Sequence, residues 1–288
     1  MGKNPLMMNL YINIQKVVMK KLILILCCWL PINSVIAAEY NFGVVPQFEA
    51  RKLYAIWKPI LKVLEQKTGH TFKMRGTESI PQFEKEFTKG SYDFAYMNPW
   101  HSMIAFEKQG YLPLIKDSVR KLKGVLVVRK DSGINDILQL EGKAVAFPAP
   151  NALGASLLMR AELKTHHGIS IEPVYVGTHS SVYLNVALKR AAAGGGVLRT
   201  FKNQRADIKN MLTIIYNTQS ISPHPISAHP RVPNDVIMQV KQAFLAMKND
   251  PAQQALLAKI PMEQPISASV KDYEPLKALG LDEFYVTD

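Results

Sequence analysis

The sequence predicts an α/β fold, with mostly parallel sheet flanked by helices, in a chain large enough to form two lobes. Three observations carry this expectation. Short apolar, β-branched runs alternate with helical periodicities from Tyr40 to Tyr216, the pattern of repeated βα units. Of 288 residues, 37 belong to an expected export signal and 251 remain, enough to bury a large core without covalent staples. Thr218 to Pro233 reads TQSISPHPISAHPRVP, a stiff tract of the kind that carries a chain from one lobe to another.

Residues 1–37 read as an address rather than as fold. Lys20-Lys21 precede the apolar run Leu22 to Leu30, then Pro31 and the small-residue end Val35-Ile36-Ala37, the three regions of a secretory signal. Cleavage is expected after Ala37, with Ala38 as the one-residue alternative, and either Met1 or Met19 as the start. The apolar run, about nine residues, is too short to span a bilayer. Cys27 and Cys28 both lie inside it, after Leu26 rather than after the small residue that lipid attachment favours. The mature chain is therefore expected to carry no thiol and no disulfide. Removing this segment takes away Lys3, Lys16, Lys20 and Lys21 and no acid, so 35 Lys and Arg become 31 against 23 Asp and Glu, a net +8. That excess is scattered in short pairs rather than gathered in an Arg-rich block. It argues against nucleic acid and for a basic surface that draws in small anions.

Taken in order, Tyr40 to Val45 reads as the first strand and Pro46-Gln47-Phe48 as its turn. Leu53, Ile56, Trp57, Ile60, Leu61 and Leu64 recur at helical spacing over Arg51 to Lys67, which Gly69 ends; Trp57 and Trp100 are expected in the core. Thr71 to Arg75 is a second strand, Ile80 to Lys89 a helix, and Asp93 to Met97 a third strand. Asn98 suits an N-cap and Pro99 the first helical position. Further strands are expected at Leu112 to Ile115, Gly124 to Arg129, Ala144 to Phe147, Glu172 to Val176 and Met211 to Tyr216. Helices are expected near Ile134 to Leu138, from Ala152 to Leu163 with Asn151 as cap, and from Ser180 to Arg190. Ala191 to Gly196 reads as close backbone approach rather than as a linker. After the Pro-rich tract the chain is helical over Asn234 to Met247, Pro251 to Lys259 and Lys271 to Leu279.

The chemistry-bearing residues gather at turns after strands. The mature chain has no G-x-S-x-G elbow, no thiol, no P-loop and no G-x-G-x-x-G, and His166-His167 are adjacent rather than convergent. No enzyme, no metal and no cofactor is therefore expected. What remains is a set of polar and aromatic turns at Phe48, Thr77, Tyr96 with Asn98, Asn151, and Thr178-His179-Ser180, the way a binding crevice is assembled at strand carboxyl ends. Ala144 to Arg160 runs from strand through Pro148 and Pro150 into helix, so its backbone N–H groups and positive dipole end suit an anion. Taken by themselves, Tyr96 is a core aromatic and Asn98 and Ser180 are plain caps; an ordinary αβ crossover is the alternative for the Pro150 turn.

The order of "GVVPQF", "YDFAYMNPWH", "VAFPAPNALGAS", "VGTHSSV" and "AGGGVLRTF" resembles the phosphate, phosphite and phosphonate family of periplasmic solute-binding proteins of ABC transporters, over essentially the whole mature chain. The resemblance implies a two-lobed periplasmic-binding-protein-like fold of type II, with ligand held as the lobes close. Crossings near Lys121 to Val125 and Ser220 to Ser227 make residues 38–123 and 224–288 lobe 1 and residues 124–223 lobe 2. Relatives carry hydroxyl residues at the helix start in lobe 2; here the matching positions are Ala152, Leu153 and Gly154, with Ser156 a turn further on. The family histidine matches His179 and the lobe 1 aromatic matches Tyr96, while an acidic position before the Gly-rich segment matches Ala193. Backbone N–H groups at Asn151 to Gly154, with Thr178, His179 and Ser180, are thus expected to hold an oxyanion against Phe48, Thr77, Tyr96, Asn98 and His224. The implied partners are a small anionic solute and a transporter permease, the protein acting as a periplasmic monomer. The alternative is a sensory module of the same fold that signals to a membrane sensor protein.

Overall fold

Strands form where apolar alternation meets Gly or Pro punctuation, and two sheets result. The computed structural model describes residues 37–287, so the expected export signal lies outside the described residues except for Ala37. In chain order the strands are β1 (Glu39–Val44), β2 (Thr71–Arg75), β3 (Phe94–Tyr96), β4 (Leu112–Asp117), β5 (Leu122–Arg129) and β6 (Ala144–Phe147). They continue as β7 (Glu172–Tyr175), β8 (Ala193–Val197), β9 (Leu212–Ile221), β10 (Ile226–Ala228) and β11 (Pro265–Ser267). The helices are α1 (Ala50–Thr68), α2 (Ile80–Thr88), α3 (Pro99–Gln109), α4 (Leu158–His167), α5 (His179–Ala187), α6 (Leu198–Lys202), α7 (Ala206–Met211), α8 (Asn234–Met247) and α9 (Pro251–Leu257). A π-helical turn over Leu153–Leu157 leads into α4. The tail expected as one helix over Lys271 to Leu279 is instead wound in short 3-10 turns, the second opening at Glu274 with Pro275 beside it.

The first sheet has the order β11-β4-β10-β3-β1-β2 and the second β7-β6-β8-β5-β9. Both sheets are flanked by helices, as an α/β fold requires, but they are mixed rather than mostly parallel. β1 runs parallel to β2 and β3, and β6 parallel to β7 and β8, where helical crossovers connect the strands. β10 returns antiparallel between β3 and β4, and β5 lies antiparallel to β8 and β9. β5 and β10 are entered directly from the segments that join one sheet to the other, while β11 adds an antiparallel edge beside β4. Only two such joining segments exist among the described residues: 118–121, between β4 and β5, and 222–225, between β9 and β10.

Along β5 the side chains alternate across a sheet that is buried on both faces. Val125 and Val127 pack with Tyr183, Val186 and Ile208, while Leu126 and Val128 pack with Val145, Phe147, Met159 and Leu163. In the first sheet, Trp57 of α1 packs on Phe42 and Tyr96 at centroid distances of 5.3 Å and 4.9 Å. Burying each such aromatic contributes about 1.5–3 kcal/mol. The core of the first sheet does not stop at its own layer. It runs through Leu122 to Ala152, Leu153, Ala155 and Val197, so the seam between the sheets is packed.

Candidate functional site

The helix start at Leu153 is placed by glycine. A side chain on Gly124 would put Cβ 2.1 Å from the Gly154 carbonyl oxygen, and one on Gly195 would put Cβ 2.2 Å from the Ala155 carbonyl oxygen. Only bare backbone lets β5 and β8 press against this turn. The close approach expected of the Ala191 to Gly196 run is therefore what the structure uses it for. The turn itself is wide: the Ala152 carbonyl accepts from Ser156 N at 2.7 Å and from Leu157 N at 3.2 Å. Its cap position, Ala152, offers no side-chain bond. The other helices that edge the seam differ, since Ser79, Asn98 and Thr178 each cap with a side-chain oxygen. The N–H groups of Leu153, Gly154 and Ala155 thus begin a helix with no side-chain cap, inside protein.

Around this start the fold collects Asn98, Ala152, Leu153, Gly154, His179 and His224, which line one small cavity with Gln47 and Val197. Its volume is about 10 Å³, room for roughly one water molecule. Asn98 serves two ends: its Oδ1 accepts from His101 N at 2.8 Å, capping α3, and its Nδ2 donates to the Asn151 carbonyl at 3.3 Å. Gln47 Nε2 lies 3.1 Å from His224 Nε2. His224 in turn stacks on Tyr96, with centroids 5.3 Å apart, and the buried Tyr96 hydroxyl has no hydrogen-bond partner among the described residues.

Both histidines are held neutral. Burial lowers His179 to about 4, and burial together with the nearby His101 and His179 lowers His224 to about 3. His179 Nδ1 is 3.3 Å from Thr200 Oγ1, which is 2.8 Å from the Tyr183 hydroxyl. That chain of contacts fixes the ring from one side, and His179 lines the small cavity.

Next to the small cavity opens a chamber of about 270 Å³. Phe48, Leu122, Leu198, Pro223 and Pro261 give it apolar walls, and Gln47, Val197 and His224 form the wall shared with the small cavity. Its charged groups, Arg120, Lys121, Lys123, Arg199 and Lys202, escape a search for motifs because they come from the first joining segment, β5 and α6. The KLK spacing at 121–123 and the LRTFK run after the glycines were the only traces of them in the sequence.

Several expected site residues are placed elsewhere. Thr77 lies on the far edge of the first sheet, beside Asn41 and Arg75, with its hydroxyl donating to the Ser79 carbonyl. Thr178, not Ser180, caps α5: its Oγ1 accepts from Ser181 N at 3.1 Å, because α5 begins one residue earlier than its sequence suggests. Ser180 and Thr178 line neither cavity. Asn151 does not cap its helix. Its Nδ2 donates to Glu84 Oε2 at 3.2 Å and to the Val286 carbonyl at 2.8 Å, and its Oδ1 accepts from Val286 N at 2.9 Å. A buried charged acceptor and a backbone pair outcompete the cap N–H. Ser156 is likewise turned away, accepting from Arg160 Nε at 3.2 Å.

Two mixed sheets joined by two segments, with a buried uncapped helix start at their seam, define a two-lobed substrate-binding protein of the periplasmic kind. Residues 42–273 match the periplasmic phosphonate substrate-binding proteins of ABC transporters, and the chain belongs to that family. Proteins of this family bind substrate in the periplasm. Among solved structures, the chain is similar to a binding protein component of an ABC phosphonate transporter from Pseudomonas aeruginosa, with TM-score 0.78 and 16% identity over 84% of this chain and 85% of that one. It is also similar to PhnD1 from Prochlorococcus marinus in complex with methylphosphonate, with TM-score 0.79 and 14% identity over 86% of this chain and 99% of that one. A Xanthomonas citri protein bound to ATP matches with TM-score 0.69 and 16% identity over 85% of this chain and 98% of that one.

Proposed function

We propose that the protein captures a small oxyanion, a phosphonate, phosphite or phosphate, between two lobes and delivers it as a monomer to the permease of an ABC transporter. The lobes are taken as residues 38–123 with 224–288, and residues 124–223, hinged at the two joining segments. The observation that carries the reading is the uncapped start of the turn at Leu153, buried and faced by Asn98, His179 and His224. Three unpaired N–H groups and a positive helix end there attract negative charge, and the neutral imidazoles add donors without a fixed counter-charge. The closed seam has no room for a phosphoryl group, so capture requires the lobes to part at residues 118–121 and 222–225 and reclose. The methylphosphonate held by the Prochlorococcus relative accords with this ligand class. The export signal is taken to end at Ala37. Ala38 is already tied down, its N donating to His70 Nδ1 at 3.3 Å and its carbonyl accepting from Thr71 N at 2.9 Å.

The test is a thermal-shift screen of the mature chain. Phosphate, phosphite or methylphosphonate at a hundredfold excess over Kd should stabilise it by about 2.7 kcal/mol. No shift with any oxyanion would sink the reading. His179→Ala should weaken binding by about 1–3 kcal/mol; an unchanged affinity would remove His179 from the site.

A further inference from the structure

The chamber beside the helix start is where the observations reach furthest. It is about 270 Å³ against about 10 Å³ for the small cavity, and the two share Gln47, Val197 and His224 as a common wall. A ligand held at the helix start therefore has one direction in which to extend. That direction is cationic: Arg120, Lys121, Lys123, Arg199 and Lys202 line the chamber, and no Asp or Glu does.

Only part of this charge is neutralised by neighbours: Glu263 pairs with Arg120 and acts on Arg199, while the three lysines have no such acid among the described residues. Arg120 pairs with Glu263, yet its Nε is buried without a partner, and one Arg199 Nη donates to the Ala258 carbonyl at 2.7 Å. Lys121, Lys123 and Lys202 have no acidic partner among the described residues. Desolvation by burial pushes the pKa of the Arg199 guanidinium down; Tyr96 and Glu263 oppose that shift and the like charge of Arg120 adds to it. The buried Tyr96 hydroxyl, whose ring stacks on His224 of the shared wall, is a donor with no partner among the described residues. Closing the lobes thus brings like charges together over a low-dielectric wall, and an anion placed among them relieves that repulsion.

We infer that the ligand carries a second anionic group beyond its phosphonate, a carboxylate or another phosphoryl group, and that Arg199, Lys202 and Lys123 hold it in the chamber. This rests on the oxyanion reading of the helix start and specifies the rest of the molecule. Arg199 and Lys202 come from α6, at the end of β8, while Arg120 lies on the first joining segment and Lys123 at the beginning of β5. The second anion would therefore be held by groups of the second sheet's elements, next to the joining segment that carries Arg120. A cationic tail, such as that of an aminoalkylphosphonate, would be repelled from the same place.

Isothermal titration calorimetry on the mature chain tests this with three probes: methylphosphonate, phosphonoacetate and 2-aminoethylphosphonate. Phosphonoacetate is expected to bind at least tenfold tighter than methylphosphonate, and 2-aminoethylphosphonate more weakly than either. The advantage of phosphonoacetate should shrink as salt is raised. Lys123→Gln with Lys202→Gln should weaken phosphonoacetate at least fivefold more than it weakens methylphosphonate. Equal affinity for methylphosphonate and phosphonoacetate, or equal losses for both in the double variant, would overturn the second anionic group while leaving the oxyanion reading intact. Absence of binding by all three would overturn the oxyanion reading and the inference with it.

Discussion

Asn151→Ala tests whether the turn before the helix start is anchored to the far ends of the chain. The side chain is 1% exposed and makes three hydrogen bonds, two with the Val286 backbone at 2.8 Å and 2.9 Å and one with Glu84 Oε2 at 3.2 Å. The Val286 side chain is 46% exposed, so its backbone groups can rehydrate when the amide is lost, and each of those bonds is worth about 0.5 kcal/mol net. Glu84 is 8% exposed and would lose one of its donors, keeping the Tyr285 hydroxyl at 3.2 Å, with His101 Nε2 lying 2.9 Å from the same oxygen. A hydrogen bond to a buried carboxylate is worth about 1.5–3 kcal/mol. The sum, about 3 kcal/mol, corresponds to a Tm lower by about 6–12 °C in a chain of this size. Urea unfolding measures the first figure, and exchange of the Val286 amide hydrogen should quicken in parallel. Asn151→Asp sharpens the test. It removes both amide donors and places a second carboxylate against Glu84, so it should cost more stability than the alanine variant. A loss below 1 kcal/mol for the alanine variant, or an aspartate variant no less stable than the alanine one, would refute the anchoring argument.

Two further perturbations follow from the same geometry. The folded-state pKa values of His179 and His224, about 4 and about 3, lie below the unfolded value of 6.5. The unfolded chain therefore binds more protons, and the stability these rings supply is complete above pH 6.5 and lost as pH falls below it; by pH 5 each costs about 2 kcal/mol. Unfolding measured from pH 7 to pH 5 should show this slope, and His224→Gln should remove about half of it; an unaltered slope would count against a buried neutral ring. Gly195→Ala should cost about 1–3 kcal/mol, toward the upper end because its Cβ meets the Ala155 carbonyl and the Phe147 ring at 2.2 Å and 2.3 Å. Gly76→Ala, where nothing lies within 4 Å and φ is not positive, is the control, expected within about 0.5 kcal/mol of the parent in the same thermal scans.

The sequence was most legible where the signal is local. β2 and β6 begin and end where apolar alternation meets Gly69 and Pro148, and the caps at Asn98 and Ser79 are set by residues within one turn. The mixed sheets were not legible, because periodicity gives a strand but not its direction. β10 runs antiparallel only because the chain has just returned from the second sheet through 222–225. Asn151 misled for a related reason. Its local neighbours offer a helix to cap, but the partner that wins, Val286, is 135 residues away. The cations of the chamber are separated in the same way: at 120–123 and 199–202 each group looks like part of a scattered, solvated excess, and only folding shows that they converge.

Ala152, Leu153 and Gly154 look, from sequence, like the loss of a binding motif, yet the packing gives them a different meaning. Gly154 and Gly195 let helix and strands touch through bare backbone, which fixes the direction of the first N–H groups more firmly than a mobile hydroxyl would. Backbone donors recognise negative charge and say little about what carries it. Leu153, 2% exposed, lines the small cavity, and so limits how much of a ligand fits at the helix start. Discrimination among anions must then come from beyond the shared wall, where charge is concentrated and volume is available. On this reasoning, Leu153→Ser should widen the range of oxyanions accepted at the helix start without changing the preference for a second negative group. Substitutions at Lys123 and Lys202 should do the reverse, and titration of each variant with methylphosphonate and phosphonoacetate separates the two contributions.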